Sequence, residues 1–205
     1  MDNDNFLWPN VRRSLFDMEG SSKDSYTKCF TDHAGFGYAG VSLYYKEAAD
    51  IIVKAKEMGI DRCYPDGLFM PVVYLYRHSL ELKLKSLLNQ IIIYGYIEKV
   101  QEDDKILGGH NIIKLWNRIK PALIEQEPKV DKKSLNNVEF LLSDFHKVDK
   151  SGQALRYSTL KNGNDVKENY PKIIRLELIK KAFDEMYNLL EGCSIHFEEL
   201  SQFYE

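Results

Sequence analysis

Cysteine is scarce in this 205-residue sequence: there are three, Cys29, Cys63 and Cys193, far apart and with no C-x-x-C pair. An odd, dispersed set argues against a disulfide framework or a zinc ribbon and fits a reducing compartment. Long apolar runs are missing too. The most apolar stretch, "NQIIIYGYI", is far shorter than the ~20 residues that cross a bilayer. The N-terminal "MDNDNFLWPNVRR" has no apolar core of signal-peptide type. Neither sign of charge dominates, with 28 basic and 31 acidic residues and a net charge of -3, so no global nucleic-acid footprint is signalled. There is no phosphate loop and no G-x-S-x-G. The five histidines are dispersed, without His-x-x-x-His or Glu-x-x-His spacing, so no metal site is expected, and no cofactor is called for. These absences predict a soluble cytoplasmic protein without a membrane segment.

What is present is helical periodicity. Residues 1–35 hold Gly, Ser, Asp and Asn with scattered aromatics; Phe6, Leu7, Trp8, Phe16 and Phe30 predict an extension that packs on the body rather than a free tail. "AGVSLYYKEAADIIVKAKEMG" carries apolar residues at three- and four-residue spacing and a glycine stop at Gly59. A second helix is predicted from about Met70 or Pro71 to Ile93. "EKVQEDDKILGG" reads as a polar link. "HNIIKLWNRIKPALIE" and "KKSLNNVEFLLSDFHKVD" read as two more helices, the first kinked or ended by Pro121. "KIIRLELIKKAFDEMYNLLEG" is the last long helix, ending at Gly192, with residues 193–205 as a tail. Strand signals are thin, and "ALRYSTL" is the best candidate for a brief hairpin arm. The expected fold is all-α: an antiparallel bundle of four to five principal helices over residues 36–192.

The stretch "YLYRHSLELKLKSLL", residues 74–88, sets Arg77, His78, Glu81, Lys83 and Lys85 among six leucines. At ~100° per residue, Arg77, Glu81, Lys85 and His78 fall near 0°, 40°, 80° and 100°. Leucines flank that sector on both sides. Ser79, Lys83, Ser86 and Gln90 cluster on the far side, the expected water face. The i, i+4, i+8 spacing lets the Glu81 carboxylate pair with either base, which makes a polar row on an inner flank tolerable. Such a row is either an ion-pair ladder or the lining of a groove for a phosphate, a nucleotide or RNA.

Three motifs follow in order. "RHSLELKLKSLL" has Glu81 and Lys85 four apart before Leu87 and Leu88. "GHNIIKLW" has Gly109 and His110 opening a helix with Ile113 and Leu115 or Trp116. "DKSGQALRYS" places Arg156 and Tyr157 before the final helix. Together they resemble the HEPN superfamily, the all-α domain of bacterial toxin–antitoxin and defence proteins, over about residues 36–192. The resemblance implies a HEPN-like bundle, a homodimer, and RNA, a nucleotide or a cognate protein as partner. The catalytic members are metal-independent ribonucleases marked by an arginine, four to six residues, and a histidine. No arginine here has a histidine at that distance.

Site candidates for ligand binding are therefore Arg77, His78, Glu81, Lys85, His110, Arg156 and Tyr157. If the chain is an enzyme, it is a ribonuclease using Arg77 or Arg156 with His78, His110 or His146 from separate helices, completed across a homodimer. A histidine would act as acid or base and an arginine would steady the phosphorane charge. The expectation favoured by the missing spacing is a non-catalytic module binding a nucleotide, RNA or a protein; a purely structural interaction domain is the third. His110 also suits local capping or a hydrogen bond to a neighbouring helix, and His146 with Asp149, beside Lys147 and Lys150, suits a helix C-terminus.

Overall fold

The computed structural model describes residues 37–59, 65–126, 131–150, 152 and 174–202. Residues 1–35, the hairpin candidate "ALRYSTL" with Arg156 and Tyr157, and the end of the tail lie outside the described residues. Six α-helices and one short 3-10 turn account for most of what is described, and no strand occurs among those residues. They are α1 (Tyr38–Glu57), α2 (Phe69–Ile93, preceded by the turn Pro65–Leu68), α3 (Gln101–Gly108), α4 (Ile112–Gln126), α5 (Lys132–Val148) and α6 (Leu176–Gln202). The all-α class and the five long helices agree with the expectation.

The organising element is α2. Every residue from Ser79 to Lys85 is buried, so for two turns this helix has no water face. Its leucines Leu80, Leu84, Leu87 and Leu88 join Trp116 and Ile119 of α4, Leu142 of α5 and Phe183 and Leu190 of α6 in one core. The predicted solvent arc of α2 is covered instead by α1 and α6. Ser42 and Ser79 each donate a hydroxyl to the other's carbonyl, at 2.8 and 2.7 Å. Two small residues at that crossing let the backbones of α1 and α2 approach closely. Lys83, expected in water, is 2% exposed and pairs with Glu191 of α6.

Cross-helix contacts fix the directions. Tyr38 faces Lys85, Ser42 faces Ser79, and Asp50 takes the Tyr76 hydroxyl, so α1 and α2 are antiparallel. Tyr76 stacks on Phe183, Lys83 meets Glu191 and Gln90 bonds Ser194, so α2 and α6 run the same way. The bundle is therefore not antiparallel throughout.

Two local readings are corrected and one is narrowed. The polar link contains α3, because Asp103, fully buried, accepts from the Val100 N–H at the helix start and from Arg118 of α4. Pro121 does not end α4, which runs on to Gln126. Gly192 does not end α6: Phe197 is buried beyond it, Gln90 and Ser194 exchange two hydrogen bonds, and the Tyr96 hydroxyl reaches the Phe197 carbonyl. Tertiary anchoring overrides the glycine's weak helix propensity.

Candidate functional site

The polar row of α2 is internal. Arg77 and Glu81 are each 1% exposed and Lys85 is also buried. Arg77 Nη1 donates to Glu81 Oε2 at 2.7 Å, and Lys85 Nζ donates to Glu81 Oε1 at 2.9 Å. The i, i+4, i+8 ladder read from the sequence is thus formed, with the carboxylate in the middle. Burial would raise the Glu81 carboxyl, but hydrogen bonds from Lys85, Arg77 and His110 outweigh it and hold it down at about 2.

Groups from two other parts of the chain converge on the row. At the α3–α4 junction, His110 presents its carbonyl to Arg77 Nη2 at 2.6 Å and its ring Nδ1 to Glu81 Oε1 at 2.9 Å. At the end of α5, the Asp149 carbonyl accepts from Arg77 Nε at 3.2 Å, and its carboxylate oxygen lies 3.8 Å from the same nitrogen. Gly152 closes over this point with φ +71°, and a Cβ there would sit 3.4 Å from both Arg77 Nη1 and His110 Cβ. One guanidinium therefore ties α2, the α3–α4 junction and the α5 terminus together, with all three nitrogens donating inside the protein. This buried arginine thus has a donor from each nitrogen engaged within the protein.

His110 differs from the rest of the row in that its side chain is 47% exposed. An ionised Glu81 only accepts, so Nδ1 of the ring carries the proton and Nε2 holds the lone pair of the neutral form. Nε2 has no hydrogen-bond partner among the described residues. Lys85 shares the same Glu81 oxygen and lies 5.8 Å from the Tyr38 ring. A carboxylate-oriented histidine, an ammonium and an aromatic ring thus lie along one edge of α2. The helix cap here is not His110 but Asn111, whose Oδ1 accepts from the N–H groups of Ile113 and Lys114 at 3.0 Å each.

The other sequence candidates are placed elsewhere. His78 is packed between Tyr45 of α1, at 4.5 Å edge-on, and Tyr74, stacked at 5.9 Å. His146 lies within the electrostatic reach of Arg77: burial lowers its pKa first, Arg77 and Lys150 lower it further, and Asp149 opposes them. Its Nδ1 is buried without a hydrogen-bond partner among the described residues. Arg156 and Tyr157 lie outside the described residues. Asp149 and Gly152 belong to the site, although in the sequence they have the look of a helix end and a tight turn. The spacing that links them to Arg77 is 72 residues and more, beyond any local pattern.

A second polar cluster joins α1 to α6. Lys46 bonds Asp50 at 2.6 Å and Asp184 at 2.7 Å, Lys180 bonds both carboxylates, and the Tyr76 hydroxyl donates to Asp50 at 2.6 Å. Burial, then the Asp50 contact, pushes the Tyr76 hydroxyl well above its ordinary range. Charges here cancel two against two, which fits a structural fastening. Among the described residues no group of three His, Cys, Asp or Glu side chains could hold a metal ion, and no helix is long and apolar enough to cross a membrane.

The fold and site define an all-α helical bundle with a buried arginine clamp and one histidine facing outward from it. No family model, no curated protein and no solved structure matches this chain.

Proposed function

We propose that this chain is a HEPN-like helical module that binds RNA, a nucleotide or a cognate protein without cleaving it, in a toxin–antitoxin or antiphage setting. The resemblance of residues 36–192 supplies the family. The observation that carries the non-catalytic part is the state of Arg77: it is buried, and its three nitrogens are spent on Glu81, His110 and Asp149. A phosphorane needs a cation that it can touch, and this one is inside the clamp. The ligand would meet the row at its His110 end, where the row's well-exposed side chain stands next to Lys85.

A second reading has one observation in its favour. Glu81 orients His110 as a carboxylate orients a general base, leaving Nε2 open. A divergent ribonuclease would use that nitrogen, with a cation supplied from Arg156 or across a homodimer. Purified full-length protein incubated with a broad RNA panel separates the two. The binding reading predicts retention of RNA or nucleotide without cleavage, weakened by His110→Ala. Cleavage by wild type that His110→Ala abolishes, with the fold intact by circular dichroism, would establish the ribonuclease reading instead.

A further inference from the structure

The outward face of α1 carries a pattern that the polar row does not use. Tyr44, Ile51 and Met58 recur every seven residues, and all three are exposed, Ile51 at 68%. At roughly 100° per residue they lie within about 40° of one another, forming a narrow seam of the kind that paired helices share. Leu43 is exposed beside Tyr44. Glu47 and Lys54, also seven apart and exposed, flank the seam on the Leu43 side. The half-buried Ala48 and Ala55 flank it on the other, where small side chains permit close approach. Neither Glu47 nor Lys54 makes an ion pair with another described residue.

The flanking charges choose the occupant. Two copies of α1 packed in parallel would carry Glu47 and Lys54 to opposite sides of the seam, each facing the Ala48 and Ala55 side of its partner, so no charge pair would form. Packed antiparallel about Ile51, the same residues meet as opposites: Glu47 of each copy reaches Lys54 of the other. The same operation sets Tyr44 against Met58 twice and Ile51 against itself on the axis. Apolar and charged positions are thus satisfied by one two-fold rotation, the self-complementarity that an isologous interface requires.

We propose that the α1 face is a homodimer interface, with two copies of this chain packed antiparallel through Tyr44, Glu47, Ile51, Lys54 and Met58. Sedimentation equilibrium of the full-length chain over a range of concentrations tests it. Wild type should dimerise, and Ile51→Glu should raise the dissociation constant roughly tenfold or more, with an unchanged circular dichroism spectrum because Ile51 is exposed. Glu47→Lys and Lys54→Glu should each weaken self-association, since either change alone sets like charges against each other across the axis. Mixing those two variants should restore dimers. Position 47 of one chain then meets position 54 of the other with opposite charge at both ends of the seam. A wild type that stays monomeric, a dimer indifferent to Ile51→Glu, or a mixture no tighter than either variant alone would overturn the proposal. Binding of a different protein through this face, without self-association, would overturn it as well.

Discussion

At the scale of single residues, buried charge has to be made tolerable. Arg77, Glu81 and Lys85 would be prohibitive in isolation, but each is ion-paired and hydrogen-bonded within the row. Glu81 is the member whose protonation breaks the set. Its folded pKa of about 2 lies below the ordinary 4.5. The stabilisation is therefore fully present above pH 4.5 and is lost as the pH falls through about 2, a contribution of roughly 3 kcal/mol. Urea midpoints measured between about pH 5 and pH 2 should fall more steeply for wild type than for Glu81→Gln, which starts less stable but has no such carboxylate to protonate. The internal flank of the row is legible in the sequence because angular position depends only on the helix itself. Lys83 is not, because a helical wheel finds a polar arc but not what covers it. The Ser42–Ser79 approach and Glu191 cover it here, and neither is local in sequence.

Elements are readable where an apolar stripe is long, as in α1, α4 and α5, and poorly readable where a single residue has the deciding vote. Gly192 is expected to stop a helix and Pro121 to kink or stop one, and both sit inside helices. α6 continues because the contacts of Gln90, Tyr96 and Phe197 hold its last turns. Gly192 then lies in an exposed helix interior with open space where a Cβ would go. Gly192→Ala should stabilise the protein by about 0.5–1 kcal/mol, read as a higher urea midpoint with an unchanged slope. Gly152 is the opposite case. Its φ of +71° and its contact with Arg77 and His110 make Gly152→Ala destabilising, by about 1 kcal/mol or more. α3 escapes a periodicity reading because its eight residues carry too few apolar positions to set a period; its existence rests on Asp103 and Arg118, which are 15 residues apart.

For the molecule as a whole, α2 is both the core and the site. Its leucines share one core with residues of α1, α4, α5 and α6, and its charged row gathers the α3–α4 junction and the end of α5 around Arg77. The three separate motifs, "RHSLELKLKSLL", "GHNIIKLW" and the start of "DKSGQALRYS", are spatially one cluster at Arg77, Glu81, His110, Asp149 and Gly152. Their order is visible in the chain, but their convergence is not, because it depends on how three helices pack. Centrally, Arg77 holds this cluster together rather than serving as a free phosphate-binding cation. The direct test is the melting temperature of Arg77→Ala, measured beside its action on RNA. Removing one partner of a buried ion pair should lower the melting temperature by roughly 10 °C or more, with no RNA cleavage by either protein. An Arg77→Ala variant that melts like wild type, but loses an RNA cleavage that wild type performs, would contradict the account.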